Sequence, residues 1–179
     1  MNPKTLIESR QLELIIERLC FQLAEDHGDF SNTVLIGIQP RGISFAEKLR
    51  TKLIQVSGCG NVPFGKLDVT FYRDDFRRRE NPLKPGDTDV PFSLEEKRVV
   101  LIDDVLYTGR TIRSAMDALL AHGRPSAVQL LVLIDRRFSR QLPIEADYIG
   151  MQVDSIASQR VAVEWSAKSA SGKVMLFTS

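Results

Sequence analysis

Apolar side chains fall at Leu12, Ile15, Ile16, Leu19 and Leu23, the i, i+3, i+4, i+7 and i+11 positions of one helical face, with Glu13, Glu17 and Arg18 on the other side. The period then changes. Residues 33–38 (TVLIGI) are a short continuous apolar run, as expected of a buried strand, followed by QPRG and a helical stretch over about 43–53. Residues 65–72 (GKLDVTFY) alternate like a strand. Residues 73–92 hold four Arg, three Pro and one Gly without an apolar period, which predicts a long loop of the kind that serves as a lid. A strand is predicted at 98–102 (RVVLI), a helix at 111–123 closing on Gly123, and a strand at 126–134 (SAVQLLVLI). The last third, 141–179, reads as short strands and turns.

Strands that are apolar throughout and alternate with helices predict an α/β fold with a mostly parallel central sheet flanked by helices. The length of 179 residues suits one domain, 1–179. In such sheets ligands bind beyond the carboxyl ends of the strands. Asp103 and Asp104 stand at one such end.

Charge narrows the functional classes. Lys plus Arg number 24 against 23 acids, so no global basic field holds nucleic acid and any such binding needs a local patch. The two cysteines, Cys20 and Cys59, fit no zinc or redox spacing, which suggests reduced thiols and a cytoplasmic setting. No apolar stretch reaches the roughly 18 residues of a membrane span, and no signal peptide is recognised, so no membrane partner is expected.

The chemistry concentrates in VVLIDDVLYTGRT, Val99–Thr111. A strand feeding the helix over 112–120 leaves the turn Leu106–Thr111 at a helix N-terminus, where backbone N–H groups bind anions. Thr108 and Thr111 add hydroxyls, and Gly109 lets the backbone approach a phosphate. The carboxylates of Asp103 and Asp104 suit a sugar diol, or a magnesium ion with its waters. Phosphate on one side and diol on the other describe a ribose 5-phosphate. A plain helix cap needs neither the paired acids nor the second Thr. A competing signal, Gly60 to Lys66, matches the start of a P-loop. It fails because Leu67 replaces the hydroxyl residue and a strand follows in place of a helix.

Val99–Thr111 resembles the phosphoribosyl pyrophosphate (PRPP) signature of type I phosphoribosyltransferases. FYRDD (71–75), VLYTGRT (105–111), ALLAHGRPSAVQLLVLIDR (118–136) and LPIEADYIG (142–150) resemble the PyrR family, pyrimidine operon regulators that also act as uracil phosphoribosyltransferases. The resemblance spans roughly residues 10–150. It implies the type I phosphoribosyltransferase fold, with a small hood, mainly 141–179, and a flexible lid over 73–92. It implies uracil and PRPP as substrates, UMP and pyrophosphate as products, and magnesium carried mainly on PRPP near Asp103 and Asp104 with no protein-only metal site. Asp103 and Asp104 would bind the ribose hydroxyls. The 5-phosphate would lie on Leu106, Tyr107, Thr108, Gly109, Arg110 and Thr111. Arg41 and Gly42, in the loop after the first core strand, would hold pyrophosphate, with Tyr72 and Arg73 reaching it from the lid root. The catalytic set is then Asp104, Asp103 and Arg41.

The base would bind under the part of the hood built from about 148–165, beginning with Tyr148, Ile149 and Gly150. Tyr107 occupies the place where purine-type relatives usually carry an acid, which favours a pyrimidine. The family pattern continues from there with Lys-Asn-Ile-Pro-Thr, whereas this chain has Met151-Gln152-Val153-Asp154-Ser155. That departure leaves another base open as an alternative. On the face where relatives are thought to meet RNA, a His-Arg pair precedes Glu-Leu-Pro-Ile and an Arg follows it. Here Ser139 and Glu145 replace the His and the second Arg, leaving Arg140 and Arg137, with Arg136, as the RNA candidates. An acid facing phosphate repels it, so two readings stand: an enzyme whose RNA regulation is lost or altered, or a UMP-responsive RNA attenuator with vestigial catalysis. Relatives assemble as dimers or larger, and the same is expected here.

Overall fold

The computed structural model describes residues 3–74, 86–166 and 172–178. Five strands form one parallel sheet in the order β3-β2-β4-β5-β6: β2 (Thr33–Ile38), β3 (Phe64–Leu67), β4 (Arg98–Leu106), β5 (Ala127–Arg137) and β6 (Tyr148–Asp154). Alternate side chains of these strands enter two separate cores. Leu35, Val100, Ile102, Leu131 and Leu133 face α1 (Ser9–His27) and α2 (Arg41–Ser57), where Leu12, Leu19, Phe45 and Leu49 are buried. Ile36, Leu101, Leu130 and Val132 face α3 (Arg110–Leu119), through Ile112, Ala115 and Leu119. Burial on both faces is why these strands read as unbroken apolar runs.

A second, antiparallel sheet has the order β1-β8-β7, from Lys4–Ile7, Gly172–Thr178 and Gln159–Trp165. This smaller sheet differs from the hood expected at 141–179. Its outer strand β1 comes from the N-terminus, and residues 148–154 pair with β5 in the main sheet instead. Four residues, KTLI, are too short to show a period.

Three other boundaries differ. The strand expected over 65–72 stops at Leu67, because the Asp68 carboxylate accepts the N–H and hydroxyl of Thr70 and turns the chain into a single 3-10 turn, Thr70–Tyr72. Strand β4 continues past Ile102 to Leu106, so Asp103 and Asp104 belong to the strand, Asp103 pairing with Val132. The helix expected over 111–123 ends as α3 at Leu119, and a 3-10 turn, Leu120–His122, leads to Gly123. Of the lid expected at 73–92, residues 75–85 lie outside the described residues.

At the amino end of the sheet, buried His27 is satisfied in its neutral form. Tyr148 donates its hydroxyl proton to Asp26 (2.7 Å) and can accept from His27 Nε2 (3.1 Å) and Gln129 Nε2 (3.2 Å), which leaves His27 Nδ1 to accept from Thr33 (3.0 Å). Burial, reinforced by the nearby Arg98 charge, brings the His27 pKa down to about 4. The unfolded imidazole takes up a proton near pH 6.5 and the folded one does not, so stability falls as pH drops from 6.5 toward 4. Chemical denaturation is expected to show a loss of about 2–3 kcal/mol from this group across that window. His27→Gln should remove that part of the pH dependence.

Candidate active site

The two carboxylates lie at the carboxyl end of the central strand, 7% and 6% exposed. Burial raises both pKa values. For Asp103 the adjacent Asp104 adds to the rise and Arg41 opposes it, while for Asp104 Arg41 is the chief opposing influence. The Asp103 carboxylate accepts the Asp104 N–H at 2.9 Å, which fixes its orientation against the strand backbone. Paired acids this poorly solvated form a site that gains from a cation or from hydroxyl donors.

Arg41 opens α2, directly after a cis Gln39–Pro40 peptide. The helix start presses on β4: a Cβ on Gly42 would lie 2.7 Å from the Ile102 carbonyl oxygen and 3.1 Å from Asp103 Cα. Arg41, Ser44 and Asp104 line a cleft of about 380 Å³ whose opposite wall is β7, with Arg160, Glu164 and Trp165. Trp165 stacks on Phe45 at 6.3 Å, and the Lys48 ammonium lies 5.3 Å from its ring centre. Arg160 went unnoticed in the sequence because an isolated Arg on a short strand carries no motif. As the sole tryptophan, Trp165 should report occupancy of this cleft: its fluorescence is expected to change on titration with Mg-PRPP, and no change in Arg41→Ala at the same concentrations would tie the signal to this site.

Beyond Leu106 the chain makes the expected turn. Gly109 has φ +89° and is buried against Leu142 and Ile144, and α3 begins at Arg110, whose N–H donates to the Thr108 hydroxyl at 3.4 Å. The segment 140–142 braces this turn: Gln141 and Leu142 N–H groups donate to the Thr108 carbonyl at 3.0 and 3.2 Å. Side chains do not all point as the sequence suggests. Arg110 bonds Gln141 (2.8 Å) and pairs with Asp74, so its guanidinium serves the rim while its backbone serves the turn. Thr111 accepts from Arg73 at 3.2 Å, and the Tyr72 carbonyl accepts from Arg113, which brings the lid root to the same turn.

Tyr148, Ile149 and Gly150 do not join this cluster. They open β6 at the level of Leu131 and Val132, well before its carboxyl end. The Tyr148 hydroxyl is engaged with Asp26, and the carbonyls of Ile149 and Gly150 accept from Arg18 of α1. A Cβ on Gly150 would lie 2.4 Å from the Leu133 carbonyl oxygen and 3.0 Å from Ile15. Gly150→Ala is therefore expected to destabilise the fold by about 2–4 kcal/mol, by overpacking that forces strand and helix apart. The material that stays folded should keep its Michaelis constants; a raised constant for the base at unchanged stability would restore the sequence assignment.

The carboxyl ends of β5 and β6 instead bring together Asp135, Arg136, Asp154 and Ser155. Arg136 is 4% exposed, so it offers no charge to RNA. Its Nε donates to Ser155 Oγ (2.8 Å), its Nη2 to the carbonyls of Ile156 (3.2 Å) and Gln159 (2.9 Å), and its guanidinium lies 3.9 Å from the centre of the Tyr107 ring. Arg137 grips both oxygens of Asp154 (2.5 and 2.8 Å), and Arg140 pairs with Asp135 and donates to the Tyr107 carbonyl. A cavity of about 370 Å³ opens here, lined by Phe138 and residues 154–157 and 159. The false P-loop is also accounted for: Lys66 lies in β3 and pairs with Glu47 at 2.7 Å. Among the described residues no cluster of three or more metal-ligating side chains occurs, and no helix is long and apolar enough to cross a membrane.

Comparison with known proteins agrees with this geometry. Residues 4–168 match the phosphoribosyl transferase domain family. The chain is 42% identical over 171 residues to the bifunctional protein PyrR of Geobacter sulfurreducens, covering 96% of each. It is 41% identical over 168 residues to that of Bacillus subtilis, covering 92% of this chain and 91% of the relative. Among solved structures, a hypoxanthine phosphoribosyltransferase of Trypanosoma cruzi superposes with a TM-score of 0.70 at 18% identity, over 96% and 95% of the two chains. One from Staphylococcus aureus gives 0.65 at 23% identity, over 86% and 79%.

Proposed function

Since this chain belongs to the PyrR family of phosphoribosyltransferases, we propose that its central cleft makes UMP and pyrophosphate from uracil and PRPP. The observation that carries the reading is the buried acid pair facing Arg41, joined through the 105–109 segment to the N-terminus of α3. Asp103 and Asp104 accept from the ribose hydroxyls, the 106–111 turn holds the 5-phosphate, and Arg41 faces the pyrophosphate. Two carboxylates are too few to hold a metal by themselves, but they fit magnesium that arrives on PRPP with its own phosphate oxygens and waters. When bound, magnesium neutralises charge on the departing pyrophosphate.

Strand order supports a position for the base. Displacement at the ribose C1 needs nucleophile and leaving group on opposite sides of an oxocarbenium-like centre. Arg41 follows β2, the acids lie in the carboxyl-terminal half of β4, and β5 and β6 lie on the far side. Uracil N1 therefore approaches from the β5–β6 end, toward the turn 154–159 and its cavity, and not from Tyr148–Gly150. Arg160 adds a second guanidinium facing the anion opposite Arg41.

Arg137 and Arg140, the cations left on the RNA face, are both held by carboxylates, and Arg136 is buried. This favours the enzyme over a dedicated attenuator. PRPP consumption with uracil, hypoxanthine or guanine in competition tests the base: uracil should dominate, and a purine preference would move this chain to another substrate.

A further inference from the structure

The most unusual group outside the acid pair is Arg136. It is a buried guanidinium whose hydrogen-bond partners are the Ser155 hydroxyl and two backbone carbonyls, and no carboxylate forms an ion pair with it among the described residues. A buried cation of this kind is retained against a desolvation cost, so its geometry calls for a role. Its three hydrogen bonds all go to the turn 155–159, and its planar face covers Tyr107 of the phosphate turn. Lys cannot copy this, since an ammonium has neither the fork nor the flat face.

We propose that Arg136 is a positioning residue for the nucleobase. It fixes the turn Ser155–Gln159 against Tyr107, so that the base wall has its bound shape before uracil enters. The inference rests on the base lying at the β5–β6 end. The phosphate turn does not depend on Arg136 in the same way. Arg140 holds the Tyr107 carbonyl, and Gln141 and Leu142 hold that of Thr108. In the Ser155–Gln159 turn, Gln159 Oε1 accepts the Ile156 N–H at 3.1 Å and the Gln159 N–H donates to the Ile156 carbonyl at 3.0 Å, both within the turn itself, while the Arg136 fork ties the turn to β5. Loss of the fork should thus loosen base recognition and spare phosphoribosyl recognition.

The test compares native protein, Arg136→Lys and Ser155→Ala. Initial rates with varied uracil and varied PRPP are measured beside Trp165 fluorescence titrations with UMP and with ribose 5-phosphate. Arg136→Lys is expected to raise the KM for uracil and the Kd for UMP about tenfold, the equivalent of about 1.4 kcal/mol. The KM for PRPP and the Kd for ribose 5-phosphate should stay within about twofold, and Ser155→Ala should shift the same two base-dependent constants by about threefold. Equal weakening of UMP and ribose 5-phosphate, or no change in either, overturns the proposal. If native protein binds UMP but does not turn over uracil, the catalytic reading fails while the UMP and ribose 5-phosphate constants still decide the role of Arg136. If native protein binds ribose 5-phosphate with no gain from the base, both fall together.

Discussion

Asp104→Asn is expected to raise the thermal midpoint of the ligand-free protein by several degrees while lowering turnover at least about a hundredfold. The two effects share one cause. Burial disfavours the ionised carboxylate and pushes its pKa up in the folded state. For an acid with a raised folded pKa, the stability present below the unfolded value near pH 4 is lost as pH rises through the folded one. As pH rises toward neutrality the ligand-free fold therefore loses stability relative to the unfolded chain, a loss that the isosteric amide removes. The same charge is what the ribose hydroxyls and a magnesium-bearing substrate meet. Calorimetry across pH should show native and variant converging in acid, and saturating Mg-PRPP should stabilise the native protein far more than the variant. A variant no more stable than the native chain at neutral pH would mean that Arg41 already compensates the pair.

Gly42→Ala should cost both stability and activity. The added methyl would meet the Ile102 carbonyl at 2.7 Å and the Asp103 backbone at 3.1 Å, and neither can rotate away. Either α2 lifts from β4 or the acid-bearing strand shifts. The expected loss is about 2–4 kcal/mol of unfolding free energy, with turnover down about a hundredfold, because a displacement near 1 Å at Arg41 or Asp103 is enough to misplace the reacting groups. Urea denaturation together with PRPP titration checks both parts. Full activity at reduced stability would show that the site tolerates the shift.

How much of this was legible in advance depended on which residues carried a periodic or local signal. The parallel sheet showed itself because strands such as Val99–Ile102 are buried on both faces and leave continuous apolar runs. The acid pair and the turn proposed for the phosphate are contiguous in sequence, so one string announced them. The proposed base wall was placed only coarsely, within about 148–165, through the family resemblance. Its residues come from the ends of β5, β6 and β7, and only the folded chain brings Arg136 to Ser155 and Gln159. Tyr148 and Gly150 were expected at the base through the family resemblance alone, and sequence does not show which neighbours they pack against. The glycine in fact gives clearance for the Leu133 carbonyl and Ile15, and the tyrosine anchors α1 through Asp26. The partners of the two RNA candidates were also not legible in sequence, because Arg137 and Arg140 meet Asp154 and Asp135 only in the fold.

The most direct measurement is uracil-dependent release of pyrophosphate from PRPP with magnesium, in native protein, Asp104→Asn and Arg41→Ala. The expected result is robust native turnover that collapses in both variants. Native protein that binds PRPP or UMP without releasing pyrophosphate, or variants that keep native rates, would contradict the assignment of this acid pair and this guanidinium to phosphoribosyl transfer.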